Sequence, residues 1–527
     1  MKQTMKHQSL LSGIKSLGIM LSLGLALASC TKDDVAENPA TPNEEENKNL
    51  TTFVAGGENK TRTSMDYNSG DFYWEAGDYI YVKDDDGVLQ KSTNAPDQKV
   101  ASFNYKVPGK FTASSSYKIY YFGKNSSNNQ VVIPSAQSQS TPNNTEHFGV
   151  SGDYGTATAK KVTGKNQFVF ELEHQAAYLV FHPYVSNTLL QNCYLTKIEV
   201  SSDNDIASTY TLNASTGTLQ SVNTGAEADK EIILSTKGSG TYANGFPLNT
   251  ASDNVAVNGA YMVIKPGTHT LKVRYWLKDV STGIEGTVTK AFKAFNYDVN
   301  NYYDIDGNLN IRDYDGDHYY MWDAKEQYWK GHEWWSANKD QPVLNGNDNG
   351  NDPKDNNDSR WYNEGSGSSL NATQSCATLP NVNEMTWYAA YGEPRWDADE
   401  LWTTMGHLYK GGMWFKKKAV LQGEGHYNSN TAADGTDWRA TTARAEQTWP
   451  VSPSLPSAAD AGNYFYLPAL GTYAYGGLNY VGDEGVYWSS SASLWNSGSA
   501  YVLDFYSDGI DVGVYGCDAG YRVGGFE

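Results

Sequence analysis

The chain is short of cysteine, with four in 527 residues, and short of positive charge, with 40 Lys and Arg against 60 Asp and Glu. Four cysteines are too few for a disulfide framework, and the core must therefore be built from apolar side chains. Whether Cys376 and Cys517 pair stays open. The formal net charge of −20 disfavours nucleic acid and anionic membrane surfaces as partners, because both attract basic patches.

Common catalytic motifs are absent as well. The sequence has no Gly-x-Ser-x-Gly, no His-Glu-x-x-His and no Gly-rich phosphate loop after a strand. Its nine histidines are scattered, and neither His407 nor His426 lies in metal-ligand spacing with cysteine or carboxylate. We therefore expect a protein that is not an enzyme and that holds no metal or other cofactor. Glycoside cleavage needs only two facing carboxylates, so a carbohydrate-active enzyme stays open as a weaker alternative.

The longest apolar run is Leu17–Ala28, which follows a start with three lysines. It suits the core of a signal peptide and is too short to span a bilayer. The run closes on Leu27-Ala-Ser-Cys30, which resembles the lipobox of bacterial lipoproteins, and Thr31-Lys-Asp-Asp34 is similar to a surface-export signal of such proteins. This resemblance implies a leader at residues 1–29, acylation (palmitate) at Cys30 and anchoring in the outer membrane. A plain secretory signal with a chance cysteine is the alternative.

Composition divides the remaining chain into a tether, a β-rich part and a Trp-rich part. Residues 30–49 have no aromatic side chain and are expected to form a flexible tether. From Leu50 onward, short alternating runs such as Phe168–Leu172 and Thr270–Leu277 predict β-strands. The length suits two β-sandwich domains, at residues 50–183 and 184–312.

Tryptophan marks the next boundary, since 13 of the 15 Trp residues lie at or after Trp322. This shift predicts a separate C-terminal domain at residues 313–527. Helical patterns at Val382–Ala390 and Ala398–Leu408, followed by short strands, predict a small α+β fold there.

Four segments of the β-rich part carry a resemblance to a known family. They are Thr61-Arg-Thr63, Phe72-Tyr-Trp74, Ala76-Gly-Asp-Tyr-Ile80 and Glu173-His-Gln-Ala-Ala177. In this order and spacing they are similar to the fimbrillin family of surface pilus subunits, over about residues 50–310. The resemblance implies two transthyretin-like β-sandwiches and cleavage by a trypsin-like protease after Arg62, which removes the first strand. A donor strand from the next fimbrial subunit then fills the groove. Trp74 and His174 are expected to be core residues.

The C-terminal part carries a second resemblance. Cys376-Ala-Thr-Leu-Pro-Asn-Val-Asn-Glu-Met385, Tyr466–Leu470 and Gly485-Val-Tyr-Trp-Ser-Ser-Ser491 resemble bacterial C-type-lectin-like domains. The resemblance implies ligand binding through an exposed face of the last hundred residues. The calcium-dependent sugar motif is missing, since Glu393-Pro-Arg395 stands alone without a Trp-Asn-Asp triplet. Asp313–Asp317 looks like a calcium loop but has Ala324 at its twelfth position, so we expect a solvated linker.

The final strands are predicted to carry the ligand face. Residues 496–522 contain no Trp, Met, Gln, Lys or Glu. These five are the amino acids that a codon cannot encode when its first two bases are random and its third base is C. Two explanations for this absence remain open. A retroelement could have diversified the window, or a Gly- and Tyr-rich segment could lack these residues by chance. Trp488, Leu503 and Phe505 are expected in the core, and a face near Trp334, Trp335 and Trp361 is the alternative. The predicted ligand contacts are Trp495, Tyr506, Asp508, Tyr515 and Asp518.

Together these patterns predict a mainly β, surface-exposed fimbrial tip adhesin. Its partners would be other fimbrial subunits, a host or microbial glycan or protein, and the outer membrane through the lipid on Cys30. The C-terminal domain takes the place of a free donor strand, which would block outward growth and put the subunit at the tip. A lipoprotein receptor or glycan-binding protein that does not polymerise is the alternative.

Overall fold

The computed structural model describes residues 6–9, 50–56, 64–67, 72–125, 130–213, 218–222, 226–364 and 371–527. The fold is mainly β, as predicted, with several sheets and few helices. The α-helices of these residues are α1 (Val255–Asn258), α2 (Val382–Tyr391) and α3 (Lys418–Gly423). None of them is long or apolar enough to cross a membrane.

The strands follow one another closely along the chain. Up to residue 174 they are β1 (Lys6–Ser9), β2 (Leu50–Ala55), β3 (Ser64–Met65), β4 (Phe72–Tyr73), β5 (Tyr81–Lys83), β6 (Leu89–Lys91), β7 (Phe103–Pro108), β8 (Ser116–Tyr121), β9 (Gln130–Ile133), β10 (Ala136–Ser138), β11 (Gly155–Lys161), β12 (Gln167–Phe170) and β13 (Glu173–His174). Up to residue 308 they are β14 (Ala177–Tyr184), β15 (Cys193–Ser202), β16 (Ser208–Asn213), β17 (Thr218–Ser221), β18 (Glu231–Ser235), β19 (Phe246–Pro247), β20 (Ala260–Ile264), β21 (Gly267–Asp279), β22 (Glu285–Tyr297) and β23 (Asn301–Asn308). Beyond that they are β24 (Tyr319–Tyr320), β25 (Asn347–Asp348), β26 (Arg395–Thr404), β27 (His407–Lys416), β28 (Gln447–Pro450), β29 (Tyr464–Pro468), β30 (Thr472–Ala474), β31 (Gly477–Asn479), β32 (Gly485–Ala492), β33 (Ser499–Phe505), β34 (Gly509–Gly516) and β35 (Tyr521–Arg522).

The first large sheet has the order β6-β5-β8-β11-β12-β2-β7. β2 therefore lies inside the sheet, parallel to β12 and antiparallel to β7. Phe53 of β2 is fully buried and stacks on Phe168 with ring centroids 5.1 Å apart. Trp74 and His174 are also fully buried, which confirms that both are core residues.

The next part of the chain forms a sheet of order β23-β14-β20 and another of order β10-β18-β15-β21-β22. β14 spans residues 177–184 and pairs with β20 and β23, so the change of sheet precedes residue 177. The predicted boundary at residue 183 therefore cuts this strand instead of separating the sheets.

β1 lies within the segment predicted to be a leader, yet its backbone pairs with Asn301–Asp304 of β23. A strand edge presents unpaired N–H and C=O groups, and an extended segment of the same chain can satisfy them. Removal of residues 1–29 would leave this edge of β23 without β1.

The C-terminal part is built on a sheet of order β24-β35-β32-β33-β34-β28, beside the small sheet β25-β31-β30. Its strands β26-β27-β29 continue the preceding sheet beyond β22. The predicted helix at 382–390 is confirmed as α2. Asn381 caps it by accepting a hydrogen bond from the Glu384 N–H, and the Glu384 carboxylate accepts one from the Asn381 N–H.

The helix predicted at Ala398–Leu408 is wrong, because this segment forms the β26–β27 hairpin. Leu401, Trp402, Met405 and Leu408 have helical spacing, but Met405 and Gly406 have φ of 48° and 79° and close a two-residue turn. An irregularity between Asp397 and Leu401 adds a bulge to β26.

This bulge forms the junction with the preceding sheet. Glu400 in the bulge makes the single bridge between β26 and β22, opposite Thr287. Its carboxylate accepts hydrogen bonds from the Thr289 N–H at 3.0 Å and the Thr289 hydroxyl at 2.6 Å. Burial, and then the charge of Asp397, raise the pKa of Glu400.

Candidate ligand-binding face of the C-terminal domain

The β33–β34 hairpin has two different faces because side chains alternate along each strand. One face carries Leu503, Phe505 and Ile510, which are fully buried in a core that also contains α2 residues. Trp488 on the neighbouring strand is fully buried too. The prediction that Trp488, Leu503 and Phe505 are core residues is confirmed.

The other face holds a cluster of carboxyl groups and tyrosines. Asp504 is fully buried, and its Oδ2 accepts hydrogen bonds from the hydroxyls of Tyr506 at 3.0 Å and Tyr515 at 2.5 Å. The Tyr506 hydroxyl also lies 2.6 Å from Oε1 of buried Glu484. Asp504 Oδ1 is covered and, within the described ranges of the chain, has no hydrogen-bond partner.

Burial controls the protonation of this cluster. It raises the pKa of Asp504 to about 7, although the hydrogen bonds from Tyr515 and Tyr506 oppose the shift. Burial also raises the pKa of Glu484 and the pKa values of both tyrosines. A buried carboxyl without a countercharge is more stable when it is protonated, so the cluster favours the neutral form of Asp504.

The five predicted ligand residues divide between the two ends of the hairpin. Asp508 is exposed in the turn between β33 and β34, and Asp518 is exposed in the turn after β34. β34 runs eight residues, so these turns lie roughly 24 Å apart at about 3.4 Å per residue. Half-buried Trp495 precedes β33 at the Asp518 end. Tyr506 and Tyr515 are the two that meet, through Asp504.

A groove of about 290 Å³ runs along β28 and β34 beside Tyr515. Arg444, Glu446 and Thr448 form one wall, and Asp511 and Tyr515 form the other. Asp511 Oδ1 is covered, and none of the described residues forms a hydrogen bond with it. The groove thus combines an aromatic side chain with polar groups of both charges, as small-ligand sites do.

The sequence reasoning missed two exposed tyrosines on the β30–β31 hairpin. Tyr475 is 88% exposed and Tyr480 is 61% exposed. Their φ angles are 51° and 61°, a left-handed conformation that is rare for bulky side chains. The Tyr475-Gly476 pair indicates a tight turn, because Gly favours one. The local sequence does not indicate that the tyrosine side chain is exposed.

The candidate calcium residues are engaged within the protein. The ring of His318 lies within hydrogen-bonding distance of the Asp315 and Asp317 carboxylates, and these three groups could hold a metal ion by their spacing. Arg522 lies 3.5 Å from Asp315, which places a competing positive charge there. Glu393 lies 2.6 Å from Lys416 and pairs with Arg395 at 2.9 Å.

The remaining predicted sites are the lipidation and cleavage residues, the two C-terminal cysteines and the alternative aromatic face. Cys30 and Arg62 lie outside the described residues. Cys376 and Cys517 are buried in one apolar cluster and are not bonded to each other. Burial raises the pKa of the Cys376 thiol to about 12, so it is an unreactive thiol. The alternative aromatic face has Trp334 and Trp361 half-buried and Trp335 49% exposed.

No protein-family model matches this sequence, and no curated protein matches it. Among solved structures, the chain is similar to the fimbrial anchor protein Mfa2 from Porphyromonas gingivalis, with 13% identity, 46% of this chain and 82% of that one covered, and a TM-score of 0.21. It is similar to a fimbrial protein from Bacteroides ovatus, with 10% identity, 90% and 98% covered, and a TM-score of 0.23. A candidate cell adhesion protein from Bacteroides ovatus matches at 12% identity, with 49% and 91% covered and a TM-score of 0.30. Identities and TM-scores this low carry neither fold nor function over to this chain.

Proposed function

We propose that the chain is a surface-exposed fimbrial adhesin. In this proposal it is a lipoprotein of fimbrillin type that accepts a strand from a neighbouring subunit after cleavage at Arg62. Its C-type-lectin-like C-terminal domain then binds a glycan or protein ligand at the tip of the pilus.

The position of β2 carries the proposal. β2 ends at Ala55, seven residues before Arg62, so a cut after Arg62 would release a strand that lies between β12 and β7. Its loss would free the backbone groups of both neighbours and would uncover the core around Phe53. A strand from another subunit pairs with the free backbone groups and also covers the apolar core, whereas water can only pair with the backbone groups.

The stretch after β23 supports a terminal position in the pilus. A subunit inside a pilus must donate a strand as well as accept one. Here Asp313 bridges to Thr403, and β24 pairs with β35 at the other end of the C-terminal domain. Because its backbone is already paired within the C-terminal domain, this stretch cannot act as a donor strand while the domain is folded.

Two features of the C-terminal domain support ligand binding. The pairing of β24 with β35 ties the start of the domain to the end of the segment on which the ligand face is predicted. The groove beside Asp511 and Tyr515 lies on the predicted face. We propose Trp495, Tyr506, Asp508, Tyr515 and Asp518 as the residues around which the ligand binds, with Tyr475 and Tyr480 as a second aromatic surface.

The test of strand exchange is mass spectrometry of the chain isolated from cells. We expect assembled protein to begin at Thr63, because cleavage after Arg62 removes β2 together with the lipid on Cys30. An Arg62→Ala variant should stay uncleaved and should be absent from pili, while Lys60→Ala, two residues away, should be processed normally.

The same measurement separates the rival function. A receptor that does not polymerise should keep its lipidated N-terminus at Cys30 and should not co-purify with other subunits. Pili that contain a chain beginning at Cys30 would contradict the strand-exchange proposal.

A further inference from the structure

A cavity of about 270 Å³ lies at the junction between the β21–β22 hairpin and the C-terminal domain. Lys272 and Arg274 of β21 form one side, and Asp397, Trp414 and Lys417 form the other. The exposed residue Ala291 lies on its wall, so the cavity can be reached from solvent. Ligand sites often occur where two domains meet, and this cavity is independent of the predicted face on β33 and β34.

The cavity is positively charged in a protein whose net charge is −20. Three cationic side chains line it, against the single carboxylate of Asp397. That carboxylate is already satisfied, since it accepts hydrogen bonds from Arg274 at 2.8 Å and from the Trp414 indole at 3.1 Å. Asp397 thus makes its direct ion pair with Arg274 and not with either lysine.

The two lysines have backbone partners only. The Lys272 ammonium donates to the Pro456 carbonyl at 2.8 Å, and the Lys417 ammonium donates to the Gly462 carbonyl at 3.2 Å. Within the described part of the chain, neither ammonium lies within 4.0 Å of a carboxylate. Burial, and then the charge of Arg274, lower the pKa of Lys272, while the charges of Glu199, Asp397 and Glu231 oppose the shift.

Arg274 adds an unsatisfied donor. Its side chain is only 8% exposed, and its Nε is covered and has no hydrogen-bond partner among the residues that the structure describes. A buried guanidinium N–H without an acceptor costs free energy, and an anion in the cavity could accept from this edge.

The remaining wall is apolar and aromatic. Half-buried Trp414 and buried Pro456 line the cavity beside the cations. A flat indole favours the apolar face of a sugar ring, which a bare inorganic anion does not have. The volume is just below the usual range for drug-sized ligands, so it suits one sugar residue.

We propose that this cavity binds a sugar residue that carries an anionic group, such as a uronic acid, a sialic acid or a sulfated hexose. The anionic group lies between Lys272, Arg274 and Lys417, and the ring packs on Trp414. Since the ligand touches both sides of the junction, its binding holds the C-terminal domain against the β21–β22 hairpin.

The test is isothermal titration of the full-length chain with glucuronate, N-acetylneuraminate, galactose-6-sulfate, galactose and inorganic sulfate. We expect saturable binding of at least one anionic sugar, none of galactose, and at most weak binding of sulfate. Lys272→Gln and Lys417→Gln should each weaken the binding about tenfold, since a charge-assisted hydrogen bond is lost. Lys418→Gln is the matched control, because its side chain pairs with Glu384 outside the cavity, and it should bind like the parent.

Several results would overturn the proposal. Binding of no anionic sugar at millimolar concentration excludes the site. Equal affinity for inorganic sulfate and galactose-6-sulfate excludes recognition of the sugar ring. Unchanged affinity in both Lys272→Gln and Lys417→Gln, with melting temperatures like the parent, places the sugar elsewhere. None of these results bears on cleavage at Arg62.

Discussion

At the scale of single residues, Asp504 gives the C-terminal domain a defined dependence on pH. Its pKa is raised to about 7 in the folded protein, against an ordinary value of 3.8. Between these values the folded state holds a proton that the unfolded chain releases. The contribution of Asp504 to stability is therefore full below pH 4, falls as the pH rises, and is lost above pH 7.

Asp504→Asn should remove this dependence. The Asn carbonyl can still accept from Tyr506 and Tyr515, and residue 504 then carries no charge at any pH. We expect the variant to match the parent below pH 4 and to exceed its free energy of unfolding by at most about 4 kcal/mol above pH 7. Urea denaturation from pH 4 to 8 measures this difference. Asp508→Asn, an exposed carboxyl in the same hairpin, is the control, and identical pH slopes for Asp504→Asn and the parent would contradict the prediction.

A second single-residue prediction concerns Tyr475. It occupies the first position of the two-residue turn between β30 and β31, with φ of 51°, where Asn is the usual residue. Being 88% exposed, it gains little from packing. We expect Tyr475→Asn to raise the free energy of unfolding by about 0.5–1 kcal/mol, because Asn adopts the left-handed conformation more easily.

Tyr475→Phe removes the hydroxyl group but keeps the backbone strain, so it should leave the free energy of unfolding unchanged. Chemical denaturation of both variants gives the comparison. A loss of stability in Tyr475→Asn would show that the ring contributes packing that outweighs the strain.

At the scale of elements, runs of apolar and β-branched residues predicted the positions of six of the 35 strands. β12, β14, β15, β21, β29 and β33 all lie where such runs occur. The segment at 398–408 was misread because its apolar residues have helical spacing, while pairing with β27 decides its conformation. Local patterns also cannot show which strands pair, so the convergence of Glu484 and Tyr506 on Asp504 was out of reach.

For β2 we expect strand complementation. A chain that begins at Thr63 should melt at a lower temperature than the parent, because the strand between β12 and β7 is missing. A peptide covering residues 48–57 should restore the melting temperature, since a ligand that binds only the folded state stabilises it.

The side chain of Phe53 supplies the control for this experiment. A peptide with Phe53→Ser keeps the backbone hydrogen bonds but loses the buried ring, so it should bind much more weakly. Equal melting temperatures of the two chains without any peptide would show that β2 contributes nothing to the fold.

At the scale of the whole molecule, the rise in tryptophan content predicts a separate C-terminal domain, but it does not indicate how this part is attached to the rest. The attachment includes a backbone bridge at Thr287 and Glu400, the buried ion pair of Arg274 with Asp397, and the packing of Leu401 and Leu408 in the core of the β-rich part. These residues lie more than a hundred positions apart, and each alone resembles an ordinary strand residue. Only the fold brings them together.

The place of β2 inside its sheet also has a mechanical consequence. Its backbone is matched with four residues of β12 on one side and six of β7 on the other. A strand seated there from another subunit and pulled along its own axis would load all of these hydrogen bonds together in shear, whereas a pull across the sheet edge would break them one after another. A pilus joined in this way would resist drag from flowing fluid along its length, while each subunit would remain held without any covalent bond.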